Sequence, residues 1–436
     1  MFQTLVNAFK NKDVRKKILI TLALMFVYRL GCWLPVPGIT GQTYEGQFDS
    51  GSILSLLSMI TGGALTNGAF LAIGVSPYIN ASIIIQLLTV AIPALERLSK
   101  QGDEGRKKLN KITRYFTLAL AVAQAVGIVI NFSRSGSIST DIFGVDLPKA
   151  LVCVFVGAIL VAGSMFTMWL GERITEVGVG NGISLLIFVG ILSTAGISIV
   201  AVISAWVDGN ETAPWQLLAF LLLVVVIFAF IVFVDLAERK IPVHYAKQIK
   251  GRKQYGGQTT YIPIKVNASG VMPIIFSTAI LSFPQLVCSL FLSPTNSFYV
   301  WWQKWLGVGK PIYSVLVGIL ILFFSFFYAQ IQFNAEEVAR NIQQYGGNIT
   351  GLRPGKQTSD YLKKINKRIT LFGAIFLAII AIVPSIVFNF VFSGAAVSLV
   401  NAFSSTGMLI VVSVALEFQK QLESQLMMKQ YRGFLK

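Results

Sequence analysis

The chain has 436 residues, of which 54% are hydrophobic and only 13% charged, with a formal net charge of +17 and a mean hydropathy of +0.69. A soluble domain carries about 25% charged residues, so water is not the solvent for most of this surface and lipid is. Three cysteines without paired spacing (Cys32, Cys153, Cys288) and a single histidine, His244, leave no disulfide framework, multi-histidine metal site or haem ligand pair.

A membrane helix needs roughly 20 mostly apolar residues. Residues 1–17 carry Lys10, Lys12, Arg15, Lys16 and Lys17 and lead into a full-length run at Ile18–Leu34, not into a short apolar core with a cleavage site, so the first span is expected to stay in the mature chain. Apolar runs then follow at Ile73–Leu95, Tyr115–Ile130, Ala150–Leu170, Ile183–Val207, Trp215–Val234, Gly270–Leu292, Ile312–Phe333, Ile369–Phe392 and Val397–Leu416. Ten helices are predicted. If they alternate in direction, one set of connecting segments holds 31 of the 36 lysines and arginines, the opposite set holds four, and Arg29 lies inside the first span. The positive-inside rule then puts both termini in the cytoplasm, together with the large loops 235–268 and 334–368 and the tail 417–436.

The stretch Ser52–Gly68 (SILSLLSMITGGALTNG) is apolar but short and glycine-rich, and a crossing there would carry the basic segment after Arg97 to the wrong side. Parity makes it re-entrant; pattern alone leaves a surface loop on the outer side as the other reading. Ten helices divide into halves 18–207 and 208–416, and an odd number in each gives them inverted topology, the arrangement in which transport proteins commonly enclose a central path. The predicted fold is an all-α polytopic membrane protein of two inverted five-helix halves with a short re-entrant helix.

Apart from Arg29, no ionisable residue falls within a span core. Coupled pumps usually keep carboxylates or histidines there, so the absence favours a passive path over a secondary transporter, which stays open alongside a non-conducting scaffold. Arg29 lies within reach of the outer interface, where snorkelling is expected. The glycines of GVGNG (Gly178, Gly180, Gly182) have no preceding strand and no following Lys-Ser/Thr, which argues against a phosphate loop, and Asn181 is expected to cap the fifth helix. No Walker motif, carboxylate pair or nucleophile beside a base is present, so no catalytic residue, cofactor or metal is assigned.

Several segments in chain order carry a resemblance: PVPGI at Pro35–Ile39, GGAL at Gly62–Leu65, IGVSPYINASIIIQLLT at Ile73–Thr89, GRKKLN from Gly105, WLGE at Trp169–Glu172 with GNGIS at Gly180–Ser184, KVNASGVMP from Lys265 and LRPGKQT at Leu352–Thr358. Together they resemble the SecY family of protein-conducting channels over nearly the whole chain, and the closing QLESQLMMKQYRGF is similar to members from Gram-positive bacteria. The resemblance implies a gated channel in the bacterial cytoplasmic membrane that passes unfolded preproteins and releases membrane segments sideways into lipid. It implies partners that supply the work, the SecA motor ATPase or a translating ribosome with its RNA, small SecE and SecG subunits, and signal peptides and membrane lipids as ligands.

By the same resemblance, the constriction is a ring of Ile79, Ile83, Ile183, Ile187, Ile275 and Ile410. Isoleucines four apart share a helix face, and a ring of branched aliphatics offers ions no dipoles and dewets readily, although the same spacing also suits plain packing or lipid contact. Ser52–Gly68 corresponds to a plug, with Ser52, Leu56, Met59, Gly62, Gly63 and Leu65 as its candidate residues and the glycines as hinges. A lateral gate is implied between the second and third helices and the seventh and eighth, with Gln86, Thr89, Gln124 and Thr278 as candidates for weak hydrogen bonds across the seam. Arg239, Arg252, Lys253, Arg353 and Lys356, in turn-forming basic loops, are the implied docking residues for motor and ribosome; the positive-inside rule accounts for their sign, and basic loops attract phosphates and acidic surfaces.

Overall fold

The computed structural model describes residues 6, 8–39, 58, 61–134, 136–142, 145–207, 214–245, 248–250, 253–255, 259–291, 296–307, 310–391 and 405–433. Within them the apolar runs become long helices: α1 (Lys12–Gly31), α2 (Ser76–Ala91), α4 (Asp103–Arg134), α5 (Lys149–Val177), α6 (Gly182–Val207), α7 (Pro214–Leu236), α8 (Met272–Phe291), α10 (Pro311–Gln332), α12 (Lys356–Val391) and α13 (Ser405–Gly433). Shorter helices α3 (Pro93–Lys100), α9 (Ser297–Leu306) and α11 (Ala335–Gln344) lie between them. Six of the described helices are long and apolar enough to cross a membrane on length and composition alone, and α2 joins α3 across a bend of 101° at Pro93, where the ring removes the amide and turns the chain.

Two of the expected cytoplasmic loops are shorter than the charge pattern suggests. α4 begins at Asp103 and α12 at Lys356, each well before its apolar run, because lysine and arginine are good helix formers and cost nothing outside the bilayer. Each half then packs in one order. α2 lies on α4, α4 on α5 and α5 on α6, with α1 against α5 and α6; likewise α8 lies on α10, α10 on α12 and α12 on α13, with α7 against α13. Between the halves, α6 packs on α13 along one side, and α8 packs on α2 and α4 along the other.

The all-α description holds for the membrane part, and strands form outside it. β3 (Glu238–Tyr245) pairs antiparallel with β6 (Thr259–Lys265) and carries β7 (Gly347–Asn348) on its other edge; two short strand pairs complete the described set, β1 (Asp141–Ile142) with β2 (Val145–Asp146) and β4 (Gln248–Lys250) with β5 (Lys253–Tyr255). Ile241, Val243 and Ile264 from the sheet pack with Ala339 and Ile342 of α11 and with Leu362 and Ile365 of α12. The two basic loops therefore share one apolar core. An ion pair between Glu336 and Lys363 (2.6 Å) ties α11 to α12, and the bonded ammonium pulls the Glu336 carboxyl below the ordinary range.

The described residues 61–75, just before α2, are not helical, although most of them are buried. Their amides and carbonyls are met one by one: Val36 N–H donates to Gly68 O (3.0 Å), Phe70 N–H to Leu34 O (2.8 Å), and Ser164 Oγ of α5 to Gly74 O (3.2 Å). Gly163, beside Ser164, permits this approach, since a Cβ there would collide with the Phe70 carbonyl. Gly163→Ala is expected to push α5 off this backbone at a cost of about 1–3 kcal/mol, read as a lower melting temperature of the purified protein in detergent.

Candidate functional site

The six isoleucines singled out by resemblance come from four different helices. Five of them, Ile79 and Ile83 of α2, Ile183 and Ile187 of α6 and Ile275 of α8, line one cavity of about 510 Å³ between the halves. Ile410 of α13 is buried and does not line it; it lies in the same apolar cluster as Ile187, against which Ile79, Ile183 and Ile275 also pack. Ile83 belongs to a second cluster with Phe276 and Phe324, and Ile79 and Ile275 pack on both. The isoleucines thus form one continuous apolar floor.

The opposite wall is polar. Arg114 of α4 and Glu172 of α5 form a two-pronged ion pair (Nε to Oε1 2.9 Å, Nη2 to Oε2 2.8 Å), with Glu176, Thr175 and Asn181 beside them. Sequence reading assigned no role to this pair, although opposite charges at the ends of adjacent spans are a visible signal. The cavity therefore combines aliphatic side chains with a neutralised ion pair and with the polar groups of Ser82, Gln86 and Ser184.

Local chemistry places the α6 isoleucines. Asn181 caps α6 as expected, its Oδ1 accepting from the amides of Ile183 (3.1 Å) and Ser184 (3.5 Å). Thr175 Oγ1 accepts from Gly182 N–H (2.9 Å), and Thr21 Oγ1 of α1 accepts from Val179 N–H (3.1 Å). Gly171 and Gly182 let α5 and the start of α6 touch, for a Cβ at Gly171 would strike the Ile183 side chain and one at Gly182 the Gly171 carbonyl.

The seam between α2 and the pair α8 and α10 is apolar and aromatic. Phe276 meets Phe324 and Tyr328 edge-on, with ring centroids 5.7 and 5.8 Å apart. Two of the four polar candidates spend their hydroxyl protons locally. Thr89 Oγ1 donates to Ile85 O (2.7 Å) and Thr278 Oγ1 to Ile274 O (3.0 Å), each within its own helix, because a hydroxyl four residues on from a carbonyl finds it without help from a neighbour. Gln86 lines the cavity, and Gln124 is buried with its Nε2 unpartnered.

Of the plug candidates, Gly62, Gly63 and Leu65 are described, and Ser52, Leu56 and Met59 lie outside the described residues. Gly62, Gly63 and Gly68 have φ of +70°, +85° and +56°, in the left-handed region that favours glycine. Leu65 is buried in a cluster with Val36, Ile73 and Ala125. Of the docking candidates, Arg239 is exposed on β3, Lys253 opens β5, Arg353 and Lys356 are exposed at the start of α12, and Arg252 lies outside the described residues. Gly355 (φ +99°) and the bond from Thr358 Oγ1 to Arg353 O (2.9 Å) fold that turn back onto the helix. Nearby, partial burial and then Lys265 push the Lys420 ammonium down, opposed by Asp235 and Glu238.

Residues 69–419 match the family model described as SecY. The chain is 40% identical to a protein translocase subunit SecY of Streptomyces coelicolor over 446 residues, covering all of both. Among solved structures it is similar to one described as a protein-conducting channel (TM-score 0.66, 19% identity, 94% of this chain and 91% of that one). It is also similar to Sec61 in a canine ribosome-channel complex from the endoplasmic reticulum (TM-score 0.63, 17% identity, 94% and 91%). At those identities the two structures speak for the fold.

Asn181→Ala is expected to cost about 1 kcal/mol at the start of α6. Hydrogen exchange should then quicken at the amides of Ile183 and Ser184 while the rest of α6 keeps its protection.

Proposed function

Since the chain belongs to the SecY family, we propose that it is the channel subunit of a protein translocase, a multi-pass membrane protein whose conducting path is the cavity described above. The observation that carries the reading is the isoleucine floor beneath a polar mouth. Unfolded preprotein enters from the cytoplasmic mouth between α4, α5 and α6, and Ile79, Ile83, Ile183, Ile187, Ile275 and Ile410 close around it. Aliphatic side chains grip any passing sequence weakly and alike, which suits a channel that takes many substrates. With no chain inserted, the same side chains meet each other, and the segment 52–68 closes the path from the other side.

The seam of Ile83, Phe276 and Phe324 is the proposed lateral gate. Apolar contacts of this kind lose little when exchanged for lipid tails or an apolar signal helix. Gln86 and Gln124 flank it and supply polar groups to an arriving segment. Work comes from outside the chain: SecA or a translating ribosome docks on the shared subdomain of β3, β6 and α11 and on the turn around Arg353, with ribosomal RNA phosphates or acidic surfaces meeting Arg239, Arg252, Lys253, Arg353 and Lys356. SecE and SecG complete the assembly in the cytoplasmic membrane, with both termini on the cytoplasmic side.

Reconstituted with SecE, SecG and SecA, the protein is expected to protect a preprotein from external protease in an ATP-dependent manner; no protection by a folded complex would overturn the reading. A stalled preprotein should crosslink to probes at Ile79 and Ile275 and not at Phe323, which is 60% exposed on the outer face of α10. Equal labelling at all three would remove the path from this cavity.

A further inference from the structure

Between α8 and α10 the short helix α9 takes no part in the cavity or the seam. It reads SFYVWWQKWL, five aromatic residues in ten with a single charge, Lys304. Phe298, Trp301, Trp302 and Trp305 recur at i, i+3, i+4 and i+7 and so share one face. Their rings touch: the Phe298 centroid lies 6.2 Å from that of Trp301 and 6.0 Å from that of Trp302.

The fold sets how this face is turned. Asn296 Oδ1 caps α9 by accepting from Phe298 N–H (2.9 Å), and Lys310 N–H donates to Gly307 O (3.1 Å) just before Pro311 opens α10. Both ends are therefore tied, and α9 packs on α8 and on α10. Tyr299, Trp302 and Leu306 are partly covered. Burial, and after it the Cys288 thiol of α8, push the Tyr299 phenol up, which sets that side of α9 beside the end of α8. Phe298, Trp301 and Trp305 are left 50%, 51% and 48% exposed as a contiguous aromatic stripe. Gln303 and Lys304 are exposed away from it.

Water is a poor solvent for such a stripe, and hydrocarbon is a poor one for an indole N–H. The zone that suits both is the boundary between headgroups and acyl chains, where tryptophan and tyrosine gather. α10 exposes Ile312, Val315 and Ile319 in its first turns, so the stripe adjoins the apolar surface that a span shows to lipid. A helix with an aromatic face, a polar face and little charge lies in the plane of that boundary.

We propose that α9 is an interfacial anchor whose Phe298, Trp301 and Trp305 sit among the lipid headgroups and first acyl carbons on the outer side of the membrane, giving α8 and α10 a shared footing at the lipid surface. The choice of side rests on the topology proposed above. The occupant of the stripe is lipid, and neither a second copy of the chain nor another protein.

The test uses the complex reconstituted with SecE and SecG in vesicles of phosphatidylethanolamine and phosphatidylglycerol. The photoreactive residue p-benzoylphenylalanine stands in place of Trp301, Trp305, Gln303 or Lys304, one at a time, and lipid adducts are measured by mass spectrometry after illumination. Adducts at Trp301 and Trp305 are expected to exceed those at Gln303 and Lys304 by about fivefold or more, since only the aromatic face enters the lipid. Equal yields at all four positions overturn the anchor and leave the topology standing, and so do adducts with protein in place of lipid at the two tryptophans. Should either tryptophan replacement fail to assemble, Phe298, whose ring the probe most nearly matches, carries the same comparison. The side is read separately from Lys304→Cys and a membrane-impermeant maleimide. Labelling in intact spheroplasts above the level of the unsubstituted chain supports the outer seat. Labelling confined to inverted vesicles overturns the topology, and the outer seat with it.

Discussion

Inside a bilayer every backbone amide and carbonyl has to find its partner within the protein, and the residues 61–75 before α2 are where this chain meets that demand without a helix. They borrow partners from α1, from the turn that follows it and from α5: Arg29 for Gly62 O, Leu34 O for Phe70 N–H, Ser164 for Gly74 O. Those bonds fix where α2 begins. α2 in turn carries Ile79 and Ile83 into the cavity and one face of the seam to Phe276, so the floor and the seam both inherit their position from an irregular segment. Gly31, Gly163 and Gly62 are the small residues that allow the approach, and each has a named atom where a Cβ would go.

The two contacts between the halves differ in kind. Along α6 and α13 the helices share the large cluster that holds Ile187, Leu409 and Ile410, continuous with α1, α7 and α12. Along α2 and α8 the contact is a small cluster of three buried residues, Ile83, Phe276 and Phe324, with the cavity immediately behind it. Burying fewer side chains, the second contact costs less to separate. The lateral opening we propose at α2 and α8 would part this smaller cluster and leave α6 and α13 together.

Much of this was legible in the sequence because lipid imposes a strong code. Ten apolar runs and the cap at Asn181 are each read from a few residues, and a described helix overlaps every run, although the second run is bent at Pro93 and α4 and α12 begin well before theirs. The subdomain of β3, β6, α11 and the start of α12 was not legible for the opposite reason. β3 and β6 are exposed on most positions, and their few buried residues, Ile241, Val243 and Ile264, acquire meaning only when α11 and α12 arrive from nearly a hundred residues away. At Thr89 and Thr278 the hydroxyl proton goes to a carbonyl of its own helix, a competing acceptor that sequence position alone does not rank against a neighbour.

The missing charges and the one present charge are parts of a single arrangement. A path sealed by aliphatic contact tolerates no ion ligand along its floor, so the spans around it are neutral, and any polar group at that depth has to be spent on backbone. Glutamate or lysine at Ile79 or Ile275 would give ions a foothold at the constriction we propose. Arg29 does not join the lining of that cavity, and its guanidinium donates to the Gly62 carbonyl instead. Arg114 and Glu172 do line the cavity, and there they neutralise each other in a two-pronged pair.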